Sequence, residues 1–230
     1  RFFEKDCLDT TNQIVMKHVK SYIYYYLHGL FLSLFFHTHT HSIENGHIET
    51  IHSFTNDQNL IDNFHVKNRR GRSAVLNMVL TETGAGAATA KALPHLKGKL
   101  TASAVRVPTP NVSMAILILN LNREVTVKEI NDYIQERAVR GPLMNQVDFS
   151  QNVEAVSSDF VGSRAAGIVD GPSTSVIGKR VNIYVWYDNE FGYSCQVVRL
   201  LQKWCKIEHP RCPPALMEAV QSEAEDNEEE

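Results

Sequence analysis

The side chains able to do chemistry gather on the stretch Glu49-Thr50-Ile51-His52-Ser53-Phe54-Thr55-Asn56-Asp57, where a strand-like run delivers an imidazole and, three residues on, a hydroxyl into a polar loop. An imidazole so placed is a candidate acid or base near neutral pH. The plainer alternative is a hydrogen-bonded structural histidine, since the chain has ten. Downstream, Lys67, Arg69, Arg70 and Arg72 put four bases in six residues, either a solvated charge cluster or an anion site. The stretch Thr81-Glu82-Thr83-Gly84 then leads into an alanine-rich segment. A hydroxyl and a glycine at a helix start serve as an N-cap or offer backbone N–H groups and a positive dipole end to a phosphate.

The elements that must position these residues are read from periodicity. A strand from His47 to Phe54 enters a long polar loop, Thr55 to Arg72, and a short apolar strand at Leu76 to Leu80 runs into the helix after Gly84. Between Lys99 and Leu121, two strands flank the turn Arg106-Val107-Pro108-Thr109-Pro110-Asn111. The second, Met114 to Leu119, is apolar on both faces and is expected to be covered on both, by helices and by another subunit. Thr126-Val127-Lys128-Glu129 opens a helix by a capping-box pattern, with Val127, Ile130, Ile134 and Ala138 as its core stripe. Strands are expected near Ala155-Val156, near Gly167-Ile168-Val169 and from Val181 to Tyr187, and Asp188 caps a helix carrying Val197, Val198, Leu201 and Trp204.

Residues 1–42 differ in composition from the rest of the chain. The run Ile23 to Phe36 is apolar but, at 14 residues with an internal His and Gly, short for a membrane span. It reads as a buried or interfacial segment, as a membrane-attachment segment, or, with the His37-Thr38-His39-Thr40-His41 repeat, as translated intron over about residues 13–42. The formal charge of −3 hides an asymmetry: residues 218–230 hold six Glu, one Asp and no base, so the rest of the chain sums to +4. Neither value points to nucleic acid. Cys7, Cys195, Cys205 and Cys212 lack metal or secretory spacing and read as free thiols in a reducing, cytoplasmic setting, with Cys205 and Cys212 ahead of the acidic tail open to a redox role.

Five motifs now acquire a common meaning: Ile51-His52-Ser53-Phe54-Thr55, Thr83-Gly84, Arg106 to Pro110, Ser157-Ser158-Asp159-Phe160, and Trp186 to Ser194. Their order and intervals resemble the catalytic domain of phosphorylating glyceraldehyde-3-phosphate dehydrogenase from about Ile43 to about Trp204. The resemblance implies an α+β domain with a large mixed, mostly antiparallel sheet, helices on one face and subunit contacts on the other. It divides the chain into an atypical segment 1–42, a catalytic domain 43–206 and an acidic tail 207–230 expected to be disordered. It implies NAD as cofactor, with NADP not excluded, and a homo-oligomer or an assembly with full-length subunits, with neither nucleic acid nor membrane as partner.

It also implies roles. His52 matches the histidine that stabilises a cysteine thiolate and takes the hydroxyl proton during hydride transfer. Thr55 and Arg106 match the holders of the substrate phosphate of glyceraldehyde 3-phosphate. Thr83 and Gly84, with Thr10, match the inorganic-phosphate pocket, and Asn189 and Tyr193 the nicotinamide end. No metal is implied. Two departures accompany these matches. The family's Cys-Thr-Thr-Asn motif has as its only analogue Asp9-Thr10-Thr11-Asn12, with Asp9 in the cysteine's place and Cys7 two residues too early. No Gly-x-Gly-x-x-Gly dinucleotide turn occurs in these 230 residues, so the Rossmann domain is expected to be missing. The resulting expectation is a chain without turnover of its own, or an interaction subunit of intact dehydrogenases.

Overall fold

Alternating apolar residues build a seven-stranded sheet, and every strand that carries a candidate residue ends or begins at the same edge of it. The computed structural model describes residues 43–81, 83–85, 89, 93–139 and 143–207. Residues 1–42, with Cys7, Asp9 and Thr10, and residues 208–230, with Cys212, lie outside them. The chain forms two units, residues 1–197 and residues 198–230.

The first unit contains β1 (Ile43–Ser53), β2 (Val79–Thr81), β3 (Leu100–Val107), β4 (Ser113–Leu121), α1 (Val127–Val139), β5 (Val147–Ser150), β6 (Gly167–Ile177) and β7 (Arg180–Tyr187). It also holds the first turns of α2 (Phe191–Trp204). The sheet order is β2-β3-β1-β4-β7-β6-β5. Pairs β1/β3 and β5/β6 are parallel and the other four antiparallel. The expected mixed, mostly antiparallel sheet is what forms.

The strands on either side of the proline-rich turn do not make a hairpin. β1 lies between β3 and β4 and pairs with both. Two prolines at Pro108 and Pro110 remove backbone donors just where hairpin rungs would begin. Along β4, Leu117, Leu119 and Leu121 are buried, while Met114, Ile116 and Ile118 are only partly covered. One apolar face therefore fills the core and the other is half open in the single chain. Leu117 pairs with Ile183 and Leu119 with Val181 at the centre of the sheet. Ile130, Ile134 and Ala138 of α1 join the same core.

Several local expectations are corrected. Val127 is 38% exposed, so the core stripe of α1 starts one turn later, at Ile130. The apolar run at Leu76 to Leu80 yields a strand of only three residues, with Leu76, Met78 and Leu80 exposed. It sits at the sheet margin, where a strand has one neighbour and nothing to bury against. Ala155-Val156 is not a strand. It leads into a 3₁₀ turn, Ser157–Phe160, in which Asp159 Oδ2 accepts from Val156 N at 2.8 Å. The strand in that region is β5, eight residues earlier in onset.

The helix start after β7 behaves as its sequence dictates. Asp188 Oδ1 accepts from the backbone N–H groups of Glu190 (2.9 Å) and Phe191 (2.7 Å), satisfying donors that have no partner inside the helix. Gly192 lets α2 approach the loop below it, since a Cβ there would meet Ala165 O at 2.5 Å. In the second unit, α2 ends in a turn where Lys206 has φ +55° and Ile207 N donates to Gln202 O at 2.9 Å.

Candidate active site

The carboxyl ends of β1, β3 and β7 and the start of β4 meet at one edge of the sheet, a consequence of the pairing directions. In the parallel β1/β3 ladder His52 is the register partner of Arg106, 54 residues away in sequence. Thr50 and His52 share the parity of the core residue Ile48, and Ala104 and Arg106 stand opposite them, so the site lies on the core face just beyond the packed residues. These side chains open on a cavity of about 540 Å³, lined also by Thr55, Arg70, Thr81, Thr83, Gly84, Tyr187, Asn189 and Tyr193. The described residues to which the family resemblance gives a role, His52, Thr55, Thr83, Gly84, Arg106, Asn189 and Tyr193, thus line one cavity.

The imidazole of His52 is oriented by its own strand. Its Nδ1 lies 2.6 Å from Ser53 O. A carbonyl oxygen only accepts, so Nδ1 carries the proton and Nε2 is the nitrogen left in the neutral ring to take one. Asn189 Nδ2 is 3.4 Å from Nδ1 but donates to Ser53 Oγ at 2.7 Å, while Asn189 Oδ1 accepts from Ser113 Oγ at 2.8 Å. Ser113 Oγ also receives Ser53 N at 3.0 Å, which closes a network joining β1, β4 and the end of β7. Tyr187 meets the His52 ring edge-on, with centroids 6.5 Å apart.

Burial pushes the His52 pKa below its ordinary 6.5, and the positive fields of Arg106 and Arg70 act the same way. The Ser53 hydrogen bond and Asp57 oppose them without winning. The folded state therefore prefers neutral imidazole, so the contribution of His52 to stability is complete above pH 6.5 and is lost as pH falls through its lower folded value. Titration of the His52 ring protons by NMR is expected to give a midpoint below 6.5, with Nδ1 remaining the protonated nitrogen. A midpoint at or above 6.5 would contradict the burial and charge arrangement described.

Opposite the histidine stands an arginine pair. Arg106 Nη1 donates to Thr55 Oγ1 (2.7 Å), Asp57 Oδ1 (2.5 Å) and Gln58 Oε1 (3.0 Å), while its Nε is buried with no hydrogen-bond partner among the described residues. Arg70 Nη1 donates to Asp57 Oδ2 and its Nη2 to Thr81 Oγ1 at 2.9 Å. Burial works against the charge on Asp57, but the bonds from Arg106 and Thr55 and the fields of both arginines outweigh it and bring its pKa down to about 2.

The loop that supplies Arg70 is folded back on itself. Asn59 N donates to Arg70 O (3.1 Å), Asn63 N to Gly71 O (2.9 Å) and Ala74 N to Asn59 O (2.9 Å). Those backbone bonds turn a long polar segment into a compact loop that aims one of its four bases inward. The basic cluster therefore splits: Arg70 enters the cavity, whereas Arg72 makes an exposed ion pair with Asp62 at 3.1 Å. Lys67 and Arg69 border a second recess of about 760 Å³ that shares Arg70, Thr81, Thr83 and Gly84 with the first.

Thr83 serves as a helix cap, its Oγ1 accepting from Ala85 N at 3.2 Å, and also lines both recesses with Gly84. Sequence patterns alone attach no role to Asp57, Ser53, Ser113 or Gln58. An acidic residue two positions after Thr55 is the available signal for Asp57. No local signal marks Ser113, whose partners lie 60 and 76 residues away. Among the described residues no group of His, Cys, Asp and Glu could hold a metal ion, and no helix is long and apolar enough to cross a membrane.

Residues 34–189 match the family described as glyceraldehyde 3-phosphate dehydrogenase, C-terminal domain. A glyceraldehyde-3-phosphate dehydrogenase-like protein of Pseudomonas aeruginosa (strain UCBPP-PA14) is 61% identical over 173 residues, covering 75% of this chain and 38% of that protein. Glyceraldehyde-3-phosphate dehydrogenase 1 of Bacillus subtilis (strain 168) is 45% identical over 159 residues, with 69% and 47% covered. Glyceraldehyde-3-phosphate dehydrogenase of Geobacillus stearothermophilus is 46% identical over 159 residues, with the same coverage. The chain spans about half, or less, of the length of these relatives.

Proposed function

Because the chain belongs to the glyceraldehyde 3-phosphate dehydrogenase family through its C-terminal domain, we propose that this domain binds and orients glyceraldehyde 3-phosphate and inorganic phosphate for NAD-dependent oxidation to an acyl phosphate. The observation that carries the reading is the convergence, in one cavity, of His52 with two nearly buried guanidiniums and the Thr83-Gly84 helix start. A phosphorylating aldehyde oxidation needs a base for one hydroxyl proton and room for two phosphoryl groups. Arg106 and Thr55 offer charged and neutral donors to one, and the buried, unpaired Nε of Arg106 is a donor lacking an acceptor among the described residues. Thr83 and Gly84 line a second position that opens into the adjoining recess.

Two residues that follow β7, Asn189 in the turn and Tyr193 in the first turn of α2, fit the nicotinamide end of a dinucleotide. Asn189 Nδ2 spends one proton on Ser53 and keeps the other for an external acceptor such as a carboxamide oxygen, and Tyr193 lines the same cavity. NAD, when bound, supplies the hydride acceptor. His52 holds its Nε2 free for a substrate proton because Ser53 O occupies Nδ1. The depressed pKa keeps it in the neutral, accepting form at neutral pH. NAD and NADP differ at the adenosine ribose, which these residues do not address.

Asp9 stands where the family's motif has its cysteine, and on that sequence ground these 230 residues are expected to bind substrate without turning it over. The test is a titration with inorganic phosphate and glyceraldehyde 3-phosphate in the presence of added NAD, monitored by NMR at His52 and by NADH absorbance. Expected are saturable shifts at His52 and no NADH. Absence of any shift would remove the substrate-site reading, and NADH formation abolished by His52→Ala would overturn the inactive one.

A second reading, an interaction subunit that joins full-length family members, draws on the apolar loop residues Ile61, Phe64, Val66, Leu76 and Met78, which are 76–87% exposed. It requires co-sedimentation with such a partner, and a persistent monomer in its presence counts against it.

A further inference from the structure

We infer that Asp57 is an internal competitor for the phosphoryl position, seated on the donors that a phosphate would use and setting the charge a ligand must carry to enter. This rests on the reading of the cavity as a phosphate site. Three groups converge on the Asp57 carboxylate: Arg106 Nη1 at 2.5 Å, Arg70 Nη1 and the Thr55 hydroxyl. Two cations and a hydroxyl aimed at a pair of oxygens are the set that recognises a phosphomonoester.

The exposures differ in a way that suits a displaceable occupant. The side chains of Arg106 and Arg70 are 11% and 14% exposed, whereas that of Asp57 is 44% exposed. The arginines are held by the sheet and by the folded-back loop. Asp57 stands in a turn closed by Gln58 N donating to Thr55 O at 3.0 Å, so its carboxylate can swing into solvent by side-chain rotation alone.

With Asp57 in place the arginine pair retains one net positive charge. A carboxylate or halide offers no more charge than Asp57 does, and Asp57 competes from within the same chain at high effective concentration. A phosphate dianion brings two charges and three acceptor oxygens and can take both guanidiniums at once. Asp57 thereby favours phosphomonoesters over singly charged acids.

The alternative is that Asp57 holds two mutually repelling guanidiniums in position, so that a phosphate needs it. The two ideas give opposite signs. Calorimetric titration of glycerol 3-phosphate, a phosphomonoester lacking the aldehyde, and separately of acetate, would be run on the unaltered chain, on Asp57→Asn and Asp57→Ser, and on Arg106→Ala. Loss of one competing charge is expected to tighten glycerol 3-phosphate binding by about tenfold in both Asp57 variants. It is also expected to bring in measurable acetate binding, and to lower the melting temperature in phosphate-free buffer while enlarging the gain on adding glycerol 3-phosphate. Glycerol 3-phosphate binding that is unchanged or weaker in both Asp57 variants, while Arg106→Ala abolishes it, overturns the competitor role and leaves the site standing. Glycerol 3-phosphate binding that is absent throughout, or indifferent to Arg106→Ala, removes the phosphate site itself and the competitor with it.

Discussion

Arg106→Ala is expected to lower the affinity of this domain for glyceraldehyde 3-phosphate by about a hundredfold. A hydrogen bond to a charged group contributes about 1.5–3 kcal/mol, and each 1.4 kcal/mol is about tenfold in binding. Arg106 has no substitute within reach, because Arg70 approaches Asp57 from the other carboxylate oxygen and is tied at its second nitrogen to Thr81. The same substitution should raise the His52 pKa toward 6.5, since the Arg106 charge is one of the causes of its depression. Arg106→Lys separates the two effects. It keeps the charge but not the fork, so His52 should titrate as in the unaltered chain while affinity for glyceraldehyde 3-phosphate falls. Glyceraldehyde 3-phosphate binding that survives Arg106→Ala unchanged would show that its phosphoryl group does not enter beside His52.

Asp188→Ala is expected to cost about 3 kcal/mol or more of folding stability, measured by urea unfolding. Asp188 is 3% exposed and accepts four hydrogen bonds. Glu190 N and Phe191 N reach Oδ1, while Gly162 N and Asn111 Nδ2, both at 2.9 Å, reach Oδ2. One carboxylate thus ties the start of α2 to the turn before β4 and to the loop before β6. Alanine would remove the acceptor of four part-buried hydrogen bonds from three segments, which is a larger loss than a simple helix cap. Burial alone would raise the Asp188 pKa, but the donors from Gly162, Phe191, Glu190 and Asn111 outweigh it and hold the carboxyl below its ordinary 3.8. The carboxylate therefore stabilises fully above pH 3.8 and loses that contribution as pH falls through its folded value, so Asp188→Ala should also flatten the acid limb of the stability profile. A loss under about 1 kcal/mol would mean that these segments are held by something other than Asp188.

Much of the site was legible along the chain because its signals are local. The alternation of Val181, Ile183 and Val185 marks β7, and all three are buried. Asp188 reads as a cap because its partners are two and three residues away. Ile130, Ile134 and Ala138 repeat at helical spacing and form the buried stripe of α1. The motifs around His52, Thr55, Thr83, Arg106, Asn189 and Tyr193 were recognisable as strings, and those residues do line one cavity.

Local pattern stops where contacts between distant residues decide. Whether β3 pairs with β4 or with β1 is not written in either strand, since both are apolar and of similar length. The register that sets Arg106 beside His52 comes from the whole sheet. Leu80 and Val127 fit apolar patterns yet stand exposed, because a period says which face a residue takes and not whether another element covers that face. Asp57 reads as an ordinary loop carboxylate until a backbone fold 13 residues long returns Arg70 to it and a strand 49 residues away supplies Arg106. Most of the elements, the helix caps and the identity of the chemical groups are set along the chain, because they rest on interactions within a few residues. The proton position on His52, the serine network around Asn189 and the carboxylate between two arginines are set by the folded sheet. Those depend on hydrogen bonds and charges that act through space, between residues the chain keeps far apart until the sheet closes.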